Sequence, residues 1–417
     1  MMNEKLVDHL FRHQYGRMVS ILTRIFGLTQ LEMIEDAVQD TFAQALLSWR
    51  KKMPVNPEAW LVRAAKNRTI NLLKKAKADE LRIENLASGS AAILLNDLFL
   101  DNEVEDSQLR MIFTACHPSL NPKDQIAFAL KTISGFGIRE IASALLLKEE
   151  TVKKRLSRAR KTIVEQSISF EIPNSSELPS RLNRVLEVIY LTFNEGFHSN
   201  NNKILIRQEL CGEAIRLCQL LLRKEILRAG KVYALFALMC FHSARLESRV
   251  DEHGEIVDIK HQDRSKWYFP LVELGNNAMI RATEKETNTA FHFEAAIAAE
   301  HLQATTFDET NWSQILYWYD QLLSLQDSTL AWLNKSVVLI QMGDFAQAKK
   351  IIDSIQVSGL EQRQYLFYST KAEYYYKTGA KNKALGAINQ CIGLVNSEPE
   401  KRYFERKKEL IKLLMLE

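Results

Sequence analysis

The sequence predicts an all-α chain: two small helical domains, the second built on a helix-turn-helix, followed by a domain of repeated helix pairs. Three observations carry this. Apolar residues recur three and four apart through most segments, the helical period. Between Ile138 and Ile163, in IREIASALLLKEETVKKRLSRARKTI, two short helical patterns meet at a tight turn. Toward the C-terminus, AWLNKSVVLIQMGDFAQAKKIID from Ala331 aligns with FYSTKAEYYYKTGAKNKALGAIN from Phe367. The alignment superposes Gly343 on Gly379 and Ala348 on Ala384, each pair 36 residues apart.

Taken in order, Leu31 to Arg50 places Ile34, Ala37, Val38, Phe42, Leu46 and Trp49 on one side of a helix and Glu32, Glu35, Asp36 and Asp40 on the other. After the break Met53-Pro54-Val55-Asn56-Pro57 comes EAWLVRAAKNRTINLLKKAK. From Arg63 to Lys77 this segment holds Arg63, Lys66, Arg68, Lys74, Lys75 and Lys77 and no acidic residue. An acidic face followed by a basic one predicts two different partners. Ala78 to Asp106, with Ala87-Ser88-Gly89-Ser90-Ala91-Ala92 at its centre and acidic residues after it, has the composition of a flexible connector. Cys116-His117 has no second pair at ligand spacing, so no metal site is predicted.

In the segment from Ile138, the first helix carries an apolar stripe through Ile141, Ala142 and Leu145. The second opens at Glu149-Glu150-Thr151, where acidic groups favour the positive end of a helix dipole. It buries Val152, Leu156, Ala159 and Ile163 and turns Lys153, Lys154, Arg155, Arg158, Arg160 and Lys161 outward. A basic helix buttressed by an apolar partner is the arrangement that presents a helix to DNA. Taken alone, the same run also suits a solvated amphipathic face.

Length and charge agree with this division. Two such domains need less than half of 417 residues, and a net charge of +4 means that the basic groups are concentrated locally. EIPNSSELPS, from Glu171 to Ser180, marks a domain boundary. Five cysteines at 116, 211, 218, 240 and 391 form no disulfide framework and fit reduced core thiols. With no signal peptide and no membrane-spanning run, a soluble cytoplasmic protein is expected. No nucleophile and base pair, P-loop or dinucleotide fingerprint occurs, so neither catalysis nor a cofactor is predicted.

Three blocks in this order and spacing, IEDAVQDTFAQAL from Ile34, NPEAWLVRAAKNRTIN from Asn56 and the EIA to TVKKRLSRAR helix-turn-helix, resemble the extracytoplasmic-function group of bacterial RNA polymerase sigma factors. The resemblance implies a region 2 over residues 1–77, a linker over 78–106, a region 4 over 107–170 and a regulatory extension over 178–417. It implies that Asp36, Gln39 and Asp40 dock on the clamp helices of core polymerase, with Phe42 facing the core. Trp60, Arg63, Asn67, Arg68 and Asn71 match the segment that melts the promoter −10 element. There an aromatic ring replaces the stacking partner of a separated base, amides read its edge and cations hold phosphates. Trp60 has a second reading as a core aromatic. Lys153, Lys154, Ser157 and Arg158 match the side of the recognition helix that faces the −35 groove, and Lys131 and Thr151 match contacts to backbone phosphate. Departing from the family, the turn holds Leu146-Leu147-Lys148 where a glycine is common, which puts promoter sequence rather than DNA binding in doubt. The linker is read either as a mimic of single-stranded nucleic acid inside polymerase or as a solvated tether.

The repeated helix pairs resemble tetratricopeptide repeats. Two polar segments interrupt them, YLTFNEGFHSN with Asn194 and Glu195, and RVDEHGEIVDIKHQDRSKWYF with Asp263, Arg264 and Trp267. Both resemble motifs of a sigma-factor subgroup with a fused C-terminal helical extension. As loops above a repeat scaffold they are candidate regulatory contacts for a protein or ligand. The competing reading makes Asn194 and Asp263 helix caps and Arg264 a bridge to an acidic partner. The function expected is a sigma factor for core polymerase and promoter DNA, with no membrane partner. A helix-turn-helix regulator with a repeat sensor, acting without polymerase, is the alternative, and an interaction scaffold would leave the basic helix unexplained.

Overall fold

A computed structural model describes residues 2–50, 52–75, 101–145, 147–197, 207–252, 254–284, 288–395 and 397–416. The described residues are helical apart from turns, connecting segments and one antiparallel bridge between Val250 and Ile256. The chain divides into two compact units, Met1–Thr192 and Phe193–Glu417.

In the first unit, α1 (Met2–Phe26) packs on α2 (Leu31–Ser48) and on α4 (Asp101–Ala115), and α2 packs on α3 (Pro57–Lys75). Tyr15, Leu22, Ile34, Leu61 and Phe113 are fully buried among them. The connector expected over 78–106 lies outside the described residues up to position 100. From Asp101 onward it is already helix α4. Helix α5 (Pro122–Thr132) starts where Asn121 accepts a hydrogen bond from the Lys123 amide at 3.0 Å, with Pro122 in the first turn, where its missing N–H is not needed. It supports α6 (Ile138–Ala144) and α7 (Glu149–Glu165). The buried residues of α7 are Val152, Leu156, Ala159 and Ile163, the stripe set by the apolar period.

The turn between α6 and α7 closes without glycine. The Leu147 amide donates to the Ala142 carbonyl at 2.8 Å, Leu147 is half-buried, and no described residue of the turn has a positive φ. Leu146 lies outside the described residues.

Helix α8 (Leu178–Phe197) spans the division between the units. Its residues up to Thr192 belong to the first unit, where Arg181 donates to the Phe113 carbonyl at 2.7 Å. The second unit continues with α9 (Gln208–Arg223), α10 (Gly230–Ser243), α11 (Phe269–Thr283), α12 (Ala290–Gln303), α13 (Trp312–Leu325), α14 (Thr329–Met342) and α15 (Phe345–Ser354). It ends with α16 (Gln364–Lys377), α17 (Lys381–Leu394) and α18 (Glu398–Leu416). From α9 onward most helices pack on the next one in sequence. The two aligned segments form the pairs α14/α15 and α16/α17. Gly343 and Gly379 adopt φ of 80° and 77° just past the first helix of each pair, a left-handed conformation that glycine takes without a Cβ penalty. The amides of Asp344 and Ala380 reach back to Leu339 and Tyr375 at 2.9 and 2.8 Å and close the same helix end. Ala348 and Ala384 are fully buried where the paired helices touch. All five cysteines are buried and unbridged.

Candidate nucleic-acid interface

The basic helix α3 bounds a groove of about 730 Å³ whose lining includes Gln44, Trp60, Arg63, Asn67, Arg68 and Asn71. Five of these six are the residues matched to promoter melting. Their spacing of three and four puts them on one helical face, while Leu61, Ala65, Thr69 and Leu73 hold the opposite face in the core. Trp60 is half-buried. Its ring meets the fully packed Trp49 edge to face, with centroids 5.5 Å apart, so Trp49 is the core aromatic and Trp60 also borders the groove. Arg63, Asn67 and Asn71 are exposed.

Arg68 is shared with the acidic face. Its Nε donates to Asp40 at 2.9 Å, in a pair about half exposed on both sides. The structure therefore joins a residue matched to DNA with one matched to polymerase. Asp36 is exposed and Gln39 half-buried on the same side of α2. Desolvation, and then Glu32, push the Asp36 carboxyl upward.

On α7, Lys153, Lys154, Ser157 and Arg158 are exposed, and Thr151 is half-buried in the first turn. Arg158 grips Asp124 of α5 with Nε and Nη2 of its guanidinium, at 3.1 and 2.8 Å, which fixes its head on the exposed side of α7. Arg155 is half-buried and donates to the Lys123 carbonyl at 3.1 Å, so it braces the helix rather than pointing outward.

Three charged residues depart from the sequence reading in a connected way. Glu35, expected on the outer acidic face, is 1% exposed, and Arg160, expected outward on α7, hydrogen-bonds to it. Arg160 also reaches the exposed Glu32 at 3.3 Å. Lys131, matched to a phosphate contact, is 6% exposed with its Nζ 5.5 Å from the Tyr15 ring centroid. Burial lowers its pKa, and Glu35 acts in the opposite sense. In this arrangement Lys131 belongs to a buried charge cluster and does not face a phosphate. Desolvation raises the Glu35 pKa against the pull of Arg160 and Lys131. A signal was present: Glu35 stands four residues after Leu31 and three before Val38, within the spacing of the apolar stripe.

In the second unit, Asn194 and Glu195 occupy the last turn of α8 and not a loop. Gly196 does not break the helix. A Cβ there would come within 2.9 Å of the Arg207 carbonyl and the Cys211 amide, so its role is close packing against the start of α9. Asn194 is consequently no N-cap. Desolvation raises the Glu195 pKa, opposed by Arg363 and Arg207. Asp263 does cap a short turn, accepting from the Ser265 amide at 3.0 Å. Among the described residues Arg264 forms no ion pair with a carboxylate. It donates to the carbonyls of His301, at 2.9 Å, and Ala304 at the end of α12, and stacks over Trp267. Trp267 is buried and donates to Ser248 Oγ at 2.9 Å.

Residues 10–78 match the family model for sigma-70 region 2, residues 110–163 that for sigma-70 region 4, and residues 181–283 a family of unknown function (DUF6596). An uncharacterized protein of Rhizobium meliloti (strain 1021) is 29% identical over 379 residues, 89% of this chain and 88% of that protein. No solved structure matches the chain. The two domain matches support a sigma-factor family and a role in directing RNA polymerase to promoters. Among the described residues no group of three or more His, Cys, Asp or Glu is placed to hold a metal, and no helix is long and apolar enough to cross a membrane.

Proposed function

We propose that the chain is a sigma factor of the extracytoplasmic-function type whose C-terminal unit is a regulatory, tetratricopeptide-like extension. The observation that carries this reading is the groove along α3. A helix-turn-helix regulator acting without polymerase needs the surface of α7, but has no use for a second site that combines an aromatic edge, amides and cations. Those are the groups that hold a strand once it is separated: the ring of Trp60 stacks, Asn67 and Asn71 read a base edge, and Arg63 and Arg68 hold phosphates. On α7, Lys153, Lys154, Ser157 and Arg158 contact the −35 groove and Thr151 its backbone, part of them positioning the helix and part reading bases. Asp36, Gln39 and Asp40 meet a basic surface of core polymerase.

Co-elution of the full chain with core polymerase, followed by transcription from promoter fragments, tests this. Replacing Asp36 and Asp40 together with Lys reverses the charge of the docking face and should abolish co-elution while the helical content stays unchanged. Undiminished co-elution of the double variant means that the face is wrongly assigned. Specific binding of the native chain to operator DNA, with no affinity for polymerase, would favour the regulator.

A further inference from the structure

The second unit gathers three arginines and two histidines, with no carboxylate hydrogen-bonded to them among the described residues. The cluster is built where several elements end together. His242 closes α10, Arg245 and Arg249 follow in the next turns, Arg264 comes from the turn capped by Asp263, and His301 closes α12. Aromatic rings wall it. Arg249 lies with its Cζ 3.7 Å from the Phe197 ring centroid and Arg264 4.5 Å from that of Trp267. The His242 ring stacks beside Phe193 and Phe197, and His301 meets Trp312 at 5.5 Å.

Two of the three arginines have a structural explanation. Arg249 donates to the Phe197 carbonyl at 2.5 Å and Arg264 to the carbonyls of His301 and Ala304, so each satisfies the C-terminal end of a helix, where cations are favoured. Arg245 has none. Its guanidinium makes no hydrogen bond or ion pair among the described residues, and the side chain keeps some accessible surface. The Nδ1 atoms of His242 and His301 and the Nη2 of Arg264 are buried without a hydrogen-bond partner among the described residues.

Electrostatics agrees with the geometry. Burial, and then Arg264, bring Arg245 down to about 10, and burial with Arg245 brings Arg249 down to about 9. Burial and the surrounding guanidinium groups hold His301 at about 3 and His242 well below its ordinary range. Among the described residues Glu309 is a carboxylate that bears on the set, through Arg264, and the Cys211 thiol beside Arg249 is pushed up to about 12 and is neutral. Guanidinium groups gathered without an ion pair among the described residues repel one another, so a bound anion would stabilise this arrangement.

We infer that this cluster is a binding site for a small dianionic oxyanion, of the phosphate or phosphomonoester class, with Arg245 as its principal ligand. A guanidinium offers a planar fork of N–H donors suited to two oxygens of one phosphate, and Arg249 and Arg264 supply further positive charge held in place by helix ends. His242 and His301 each gain a donor by taking up a proton once the anion is present. More than one uncompensated guanidinium suits two negative charges better than the single charge of a carboxylate. The inference concerns the second unit alone and stands or falls separately from the sigma-factor reading.

Thermal unfolding of the full chain, followed by tryptophan fluorescence, tests it in millimolar inorganic phosphate against sodium chloride of equal ionic strength and against acetate. Trp267, Trp312, Trp318 and Trp332 place most of that signal in the second unit. Phosphate should raise the midpoint, with a shift that grows with the logarithm of its concentration, and acetate should do so less. Arg245→Gln should be at least as stable as the native chain in chloride, because an unbalanced charge is gone, and should lose the phosphate shift. The exposed Lys260→Gln should keep it. An equal phosphate shift in Arg245→Gln, or acetate acting as strongly as phosphate, overturns the assignment. Should Arg245→Gln fail to fold, the native chain decides by nuclear magnetic resonance. Sulfate, which does not itself titrate, should raise the pKa values of His242 and His301, and unchanged histidine titration in sulfate overturns it.

Discussion

Replacing Arg160 with Met removes the cation from a carboxylate that has almost no access to water. The Glu35 side chain is 2% exposed and that of Arg160 24%, and the second oxygen of Glu35, Oε1, has no hydrogen-bond partner among the described residues. Removing one partner of a buried pair costs about 3–5 kcal/mol because the other charge stays behind. Lys131 remains close enough to offset part of this, so the lower end, about 3 kcal/mol, is expected. The pair with Glu32, whose side chain is 71% exposed, adds no more than about 1 kcal/mol. Arg160 and Glu35 tie α7 to α2, so hydrogen exchange in peptides from both helices is the local readout. At 1.36 kcal/mol per tenfold, a 3 kcal/mol loss accelerates exchange through that opening by roughly 100-fold. Adding Glu35→Gln to Arg160→Met should restore most of the protection, since the stranded group is then neutral. The sign with pH follows from the raised Glu35 pKa. A raised carboxyl contributes stability that is present below its unfolded pKa and is lost as pH rises through the folded value, so the deficit of Arg160→Met should shrink on acidification. Unchanged exchange in both helices, or a double variant less protected than the single one, refutes the argument.

Three further outcomes are expected. Lys154→Ala and Arg158→Ala should each weaken promoter binding. Lys154→Ala should reduce the salt slope by about one if it touches phosphate, and unaltered −35 dependence in both would remove α7 from the groove. Between pH about 6.5 and about 3 the second unit should lose stability, because unfolded His301 binds a proton that the folded side chain resists down to about 3. The slope from this residue approaches about 1.4 kcal/mol per pH unit, and urea unfolding of His301→Gln against the native chain should show it flattened. Cutting the chain after Thr192, which retains the contact of Arg181 with Phe113, should leave a soluble fragment with altered transcription. Asp263→Ala with Arg264→Ala should shift transcription in the same direction, and a fragment as active as the full chain under every condition tried would leave the extension without a regulatory role.

The sequence by itself determined the helices and their faces wherever a single period decides them. Val152, Leu156, Ala159 and Ile163 had to turn inward because polar and charged residues occupy most of the remaining face of α7, and the face of α3 bordering the groove followed from the same spacing. The glycines 36 residues apart marked both helix ends because a left-handed residue there is inexpensive only without a Cβ. Tertiary structure alone decided the fate of the charges. A local period assigns every Glu, Arg and Lys to solvent, yet Glu35, Arg160 and Lys131 are brought together by helices distant in sequence, where a partner offsets part of the desolvation. The polar segment around Asn194 and Glu195 reads as a regulatory contact at a helix end, and only the tertiary structure shows that both lie within the last turn of α8 with Gly196 packed closely against the start of α9. The gathering of Arg245, Arg249, Arg264, His242 and His301 left no trace in the sequence, because it depends on where the ends of separate helices meet, and no local pattern encodes that.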